Sequence, residues 1–229
     1  WPQLFLMTAL IVIYIYNFSV LPLESYPIKT IYLQNVFSFL NIGLAAAVLA
    51  AVAARFVFPA VSMESEAFWI VQSAPVSIGN FLWIKFFLYY IPLMMMAEGL
   101  VVASNILLNV SDFMMLLSVL TVFFLVPAIV GLATGLGAIY ADFKSENPAN
   151  IVTGFGGLLF MILSFGLIAL VIILEAGPVY TIFMADVLGK NLTALKILWA
   201  VLSFALAIFL CLLATFYPIH LGLKRLTVK

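Results

Sequence analysis

Long runs of apolar residues, separated by short polar stretches, dominate the pattern along the chain. The runs are about twenty residues or longer and do not alternate between apolar and polar positions. They therefore predict helices that cross a bilayer rather than the strands of a barrel. Six spans are predicted, at residues 4–21, 31–58, 86–108, 113–140, 151–174 and 195–219. The pattern indicates an all-α polytopic membrane protein, with residues 1–229 forming a single transmembrane domain.

A short stretch between the second and third spans predicts a helix of its own, over residues 62–75. Ser62 can cap its first turn, and Pro75 stops it. The stretch carries two acids and then an aromatic pair, namely Glu64, Glu66, Phe68 and Trp69. This composition is typical of a helix at the cytoplasmic membrane surface, which serves either as an amphipathic linker or as a docking element for a partner protein.

A second short helix is predicted between the fifth and sixth spans. Residues 176–188 are too apolar for a solvated loop and too few to cross a hydrocarbon core about 30 Å thick. A helix that dips into the outer leaflet accounts for both properties.

Composition and charge narrow the class of protein. Hydrophobic residues make up 67% of the chain and charged residues 8%, whereas a soluble domain has roughly 25% charged residues, so a water-soluble fold is excluded. The net charge is zero, and the nine basic residues form no long cluster. A nucleic-acid partner is therefore not expected, and the lipid bilayer is the first partner that the sequence predicts.

The basic residues also predict an orientation, because Lys and Arg favour cytoplasmic loops. With both ends in the cytoplasm, six basic residues lie inside and three outside. This orientation puts residues 62–75 and 141–150 on the cytoplasmic side and residues 176–188 on the outer side. We therefore predict a protein of the plasma membrane with both ends cytoplasmic.

One group of residues carries a family resemblance. Glu64, Glu66, the turn Ala74-Pro75-Val76-Ser77 and the later Lys85 resemble the permeases of ABC type-2 exporters, in which such an acidic helix contacts the ATPase. Residues 142–150, with the glycines that follow them, further resemble a bacterial exporter subgroup. In that subgroup the chain corresponds to the C-terminal six-helix portion of a longer protein. The residues Ala67-Phe68-Trp69 depart from the common pattern, so the contact surface is expected to be particular to its own partner.

The resemblance implies a permease in the bacterial inner membrane, with two protein partners. One is a cytoplasmic ATP-binding subunit, and the other is a second permease copy or a pseudo-dimeric half. The residues expected at the contact with the ATPase are Glu64, Glu66, Phe68, Trp69, Pro75, Asp142, Glu146 and Asn147. Independently of the resemblance, Asn147 before Pro148 is a good helix start, with Asn as the cap.

The sequence contains no Gly-x-x-x-x-Gly-Lys-Ser/Thr phosphate-binding loop. ATP hydrolysis is therefore expected in another chain, and this chain is expected to be a permease rather than an enzyme. No cofactor and no metal is expected in it, since ATP and Mg²⁺ would be bound by the partner subunit.

Polar residues inside the predicted spans are candidates for function or for packing. Glu98 lies beyond the midpoint of the third span, where a carboxylate is costly, so it is either a functional group or a hydrogen-bonded structural one. Gln34, Asn35 and Asn41 in the second span either line a polar path or form hydrogen bonds between helices.

Two glycines in the fourth span, Gly131 and Gly135, are spaced four residues apart. Small residues at this spacing allow two helices to approach closely, so a packing role is favoured over a ligand role.

Two other classes of function fit parts of the sequence less well. An ion-coupled secondary transporter would use Glu98 as an intramembrane proton site and would need no ATPase. A membrane-embedded enzyme or electron-transfer subunit is disfavoured because His220 is the only histidine, which excludes a two-histidine haem site within the chain. The exporter permease is the leading interpretation.

Overall fold

The computed structural model of the chain describes residues 12, 16, 30–73, 75, 77–143, 147–187 and 192–227. Within these ranges the chain consists of helices and short connections, without a strand. Apart from Val12 and Tyr16, the first predicted span at residues 4–21 lies outside the described residues.

Seven α-helices follow one another in the described chain. They are α1 (Thr30–Phe56), α2 (Phe68–Ser73), α3 (Ile78–Leu108), α4 (Asp112–Ile139), α5 (Pro148–Thr153), α6 (Phe155–Val187) and α7 (Ala194–Thr227), with 3-10 helices at Phe58–Ala60 and Ser62–Ala67. Five of them, α1, α3, α4, α6 and α7, are long and apolar enough to cross a membrane. The all-helical prediction is confirmed, as are five membrane-length helices, and the sixth span stays a prediction.

Local sequence sets where two of these helices begin. The Ser77 hydroxyl accepts a hydrogen bond from the N–H of Asn80 at 3.2 Å and caps α3. The Asn147 side chain accepts one from the N–H of Ala149 at 3.0 Å, and Pro148 is the first residue of α5. The helix start predicted at Asn147 is therefore present, since Asn caps well and Pro fits the first helical position.

Helix α4 is the centre of the bundle and packs against α1, α3, α6 and α7. Its residues 128–138 are all buried, and most of them are small. A Cβ added to Gly131 would lie 2.6 Å from the carbonyl oxygen of Thr215, and one added to Gly135 would lie 2.3 Å from the carbonyl carbon of Pro218. The backbones of α4 and α7 are therefore in direct contact at both glycines.

Helix α6 differs from the sequence prediction, which ended the fifth span at residue 174 and put a separate outer helix at residues 176–188. One continuous helix covers both. The ring nitrogen of Pro178 has no hydrogen to donate to the Leu174 carbonyl, a defect that commonly kinks or ends a helix. The Ser203 hydroxyl of α7 donates to this carbonyl at 2.6 Å. Because a neighbouring helix satisfies the freed carbonyl, α6 continues through the proline.

Candidate functional site

The segment 62–75, which we call the coupling segment, is held against the bundle by contacts within the chain. Ser62 is buried, and its hydroxyl accepts the backbone N–H of Asp142 at 3.1 Å, so it does not act as the predicted helix cap. Glu64 forms an ion pair with Lys85 of α3. The segment forms a 3-10 helix followed by α2 rather than one capped helix. The two stretches predicted to meet the ATPase are thereby joined to each other.

The aromatic pair of the coupling segment is divided between the interior and the surface. Phe68 is 7% exposed, and its ring stacks on that of Phe143 with centroids 4.5 Å apart. A third ring, that of Phe81 on α3, meets Phe68 edge-on at 6.1 Å. Trp69 is 66% exposed, and the next residue, Ile70, is also exposed. Phe68 therefore stabilises the segment from within, while Trp69 is available at the surface.

The remaining residues predicted at this contact are peripheral. Pro75, Asp142 and Asn147 are exposed. Glu146 and the side chain of Glu66 lie outside the described part of the chain. Their expected role at the ATPase contact stays a prediction.

A buried polar network joins α1, α3 and α4 within the bundle. Asn41 donates to the Ser104 hydroxyl at 2.6 Å, and Ser38 donates to the side-chain oxygen of Asn105 at 2.7 Å. The Asn105 amide in turn donates to the Ser118 hydroxyl at 2.5 Å. All five side chains are almost completely buried. Of the two roles that the sequence allows for Asn41, the structure shows hydrogen bonding between helices.

The two polar residues near the start of α1 have different environments. The Asn35 side-chain oxygen accepts hydrogen bonds from the backbone N–H and the hydroxyl of Ser111, each at 3.1 Å. Gln34 is half-buried. Two hydrogen bonds therefore hold the buried Asn35 of α1 to Ser111, the residue that caps α4.

Glu98 lies on α3 and is half-buried as a residue, but both of its carboxylate oxygens are covered. No described residue forms a hydrogen bond with either oxygen. A covered carboxylate without a partner is costly in a membrane-length helix, which keeps Glu98 a candidate functional group.

Glu175 is a second acid inside a membrane-length helix, although the sequence pattern predicted a connection at this position, between the fifth span and the outer helix. Its side chain is 5% exposed, and the Thr121 hydroxyl of α4 lies 2.8 and 3.0 Å from its two oxygens. Thr121 is about 14 Å along α4, which is about 42 Å long, so the pair falls within a centred hydrocarbon core about 30 Å thick. In the sequence, the apolar residues on both sides of Pro178 are the feature that indicates a membrane-length helix through Glu175.

Three comparisons with known proteins bear on the family of the chain. Neither the curated proteins nor the solved structures gave a match. One family model, described as "Putative ATP-binding cassette", matches residues 1–228. Because the match covers nearly the whole chain, this protein belongs to that ABC-related family.

Proposed function

We propose that this chain is the membrane-spanning permease of an ABC exporter and that a separate cytoplasmic subunit hydrolyses ATP, with its Mg²⁺, to drive it. Membership of the ABC-related family supports an ABC transport role. The absence of a phosphate-binding loop from the sequence and the five membrane-length helices favour the permease over the ATPase.

The observation that carries the proposal is the junction between the coupling segment and the connection after α4. The Ser62–Asp142 hydrogen bond and the Phe68–Phe143 stack link the connection after α1 to the connection after α4. A movement of this junction would therefore displace several membrane-length helices together, whereas a flexible linker would not transmit it to them. The exposed Trp69 beside the junction supplies an aromatic side chain of the kind that anchors protein interfaces.

The proposed assembly needs a second permease copy or a pseudo-dimeric half. Helix α7 is covered on one face by α4 and α6 and carries large exposed apolar side chains on the remainder. These residues include Leu198, Val201, Leu202, Phe209 and Phe216. This face is suited to lipid or to the corresponding helix of a second copy.

The first experiment replaces Trp69 with Ala and measures co-purification of the ATP-binding subunit together with its stimulated ATP turnover. We expect both to fall while the amount of inserted protein stays the same, because the side chain is exposed and contributes little to the fold. Trp199→Ala is the matched control, since Trp199 is a half-exposed tryptophan near the start of α7, at the other end of the bundle.

Charge reversal at Glu64 and Glu66 is the second arm. The double variant Glu64→Lys with Glu66→Lys should weaken the assembly by a few-fold only. It breaks the ion pair between Glu64 and Lys85 that holds the segment to α3, and a partly exposed ion pair contributes about 0.2–1 kcal/mol. Phe68→Ala with Trp69→Ala should be more severe, because it also removes a buried ring. If all of these variants bind and stimulate like the parent, the coupling segment is only a linker and the exporter proposal loses its main support.

A second candidate function, ion-coupled secondary transport, is favoured by one observation. Two acids, Glu98 and Glu175, lie in membrane-length helices with covered side-chain oxygens, and such residues mark proton paths in transporters. Purification without any ATP-binding subunit, together with a proton flux into proteoliposomes that Glu98→Gln abolishes, would select this function. A stoichiometric ATP-binding subunit would select the exporter.

A further inference from the structure

We infer that a cavity between α4, α6 and α7 is a binding site for an amphipathic cation, meaning an apolar molecule that carries one ammonium group. The cavity has a volume of about 300 Å³, which is at the lower end of the range for small-molecule sites. Most of its wall is apolar and includes Leu117, Phe124 and Phe204. Burial of an aliphatic or aromatic group in this cavity would therefore be favourable.

The polar part of the wall is formed by Thr121, Glu175 and Cys211. Glu175 is 5% exposed, and the hydroxyl of Thr121 is its only hydrogen-bond donor among the described residues. No described Lys, Arg or His forms an ion pair with it. A carboxylate can accept about four hydrogen bonds, so Glu175 retains unused acceptor capacity at the cavity wall.

This arrangement selects the charge of the ligand. A carboxylate in apolar surroundings is costly unless an opposite charge accompanies it. An ammonium group would supply that charge and a charge-assisted hydrogen bond, while the apolar body fills the remaining volume. A neutral analogue would leave the carboxylate without an opposite charge, and an anion would be repelled by it.

The site can be tested as a binding site whether or not the chain transports anything. The further step, that such cations are the exported substrate class, rests on the proposed function. Binding is therefore measured on the purified protein in detergent without an ATPase. A failure of binding and a failure of ATPase coupling are then separate results.

The experiment uses three probes of ten carbons each: decylamine, decanol and decanoate. Occupancy is measured as protection of the folded protein against thermal unfolding, because a ligand that binds only the folded state stabilises it. We expect decylamine to raise the unfolding temperature at saturation, and decanol and decanoate to have little effect. In Glu175→Gln the decylamine concentration for half-protection should rise roughly tenfold or more.

Two further variants keep the inference falsifiable. Ala207→Leu fills the cavity while keeping Glu175, and it should abolish protection by decylamine. Ser164→Ala is the control, because Ser164 carries a buried hydroxyl outside the cavity wall. Decylamine should protect this variant as well as it protects the parent. Equal protection by decanol and decylamine, unchanged protection in Glu175→Gln, or no protection by any probe would overturn the inference. If Glu175→Gln does not accumulate, Ala207→Leu decides.

Discussion

At the scale of single residues, hydrogen bonds between helices satisfy two polar groups of α6, the Leu174 carbonyl and the Glu175 carboxylate. Pro178 leaves the Leu174 carbonyl without its usual donor, and Ser203 of the neighbouring helix supplies one. The same turn of α6 carries Glu175, which Thr121 holds from α4. Each of these hydrogen bonds joins two helices, so a local defect in one helix becomes a contact between helices.

The Ser203–Leu174 hydrogen bond predicts a double-mutant cycle. Ser203→Ala should lower the free energy of unfolding by about 0.5–1.5 kcal/mol, because it leaves a carbonyl unsatisfied. Pro178→Ala restores the backbone N–H that bonds this carbonyl, so Ser203→Ala should cost much less in the Pro178→Ala background. Unfolding in detergent measures all four proteins. Strictly additive effects would mean that the serine hydroxyl does not replace the missing N–H.

Glu98 leads to a second prediction at this scale. Glu98→Gln should accumulate in the membrane and unfold no earlier than the parent, because no described residue hydrogen-bonds the carboxylate and the amide is nearly isosteric. Asn105→Ala is the comparison, since it removes hydrogen bonds to Ser38 and Ser118 and should cost about 0.6–1.7 kcal/mol for each strong bond lost. Thermal unfolding of the two variants checks both expectations. A loss in Glu98→Gln as large as that in Asn105→Ala would show that Glu98 is needed for the fold.

At the scale of helices, the contact between α4 and α7 depends on glycine. A Cβ at Gly135 would meet backbone atoms of Pro218 and Ile219 at 2.3–2.6 Å, and backbone cannot rotate away as a side chain can. We expect Gly135→Ala to destabilise the protein by about 1–3 kcal/mol or more, because the two helices must separate.

Gly166 on α6 provides the matched control for that substitution. A Cβ at Gly166 would meet nothing within 4 Å, so Gly166→Ala should stabilise its helix by about 0.5–1 kcal/mol, as Ala does in a helix interior. Unfolding midpoints of the two variants should move in opposite directions. A parallel shift would mean that helix propensity, rather than the close approach of α4 to α7, decides the outcome at Gly135.

The same scale shows what the sequence alone could predict. The starts of α3 and α5 follow from the caps at Ser77 and Asn147, because capping is a local interaction. The end of α6 and the role of Ser62 depend on partners far away in the sequence, at Ser203 and Asp142. Glu175 was missed for the same reason, since its helix passes Pro178 where Ser203 of α7 bonds the Leu174 carbonyl.

At the scale of the whole molecule, the helices alternate in direction, and one end of the bundle collects the junction of the candidate site. Because the helices alternate in direction, three parts of the chain lie at the same end of the bundle. They are the coupling segment, the connection after α4 and the last turn of α7, which carries Lys224 and Arg225. Arg55 near the end of α1 and Lys85 near the start of α3 add to its basic character. Because basic residues favour the cytoplasmic side, the end that is proposed to bind the ATPase is expected to face the cytoplasm.

The last prediction concerns the orientation of this end in the cell. In a Cys211→Ala background, Ser145→Cys should resist an impermeant thiol reagent added outside intact cells, and Leu188→Cys should react with it. The reason is that the predicted six-span topology puts six of the nine basic residues on the side of position 145, a bias that opposes translocation of those loops. After the cells are opened, Ser145→Cys should also react, which controls for accessibility of the thiol. Labelling of position 145 from outside, together with protection of position 188, would show that the orientation is the opposite of the predicted one. The exposed Trp69 would then face away from any cytoplasmic ATPase, and the exporter proposal would fail with it.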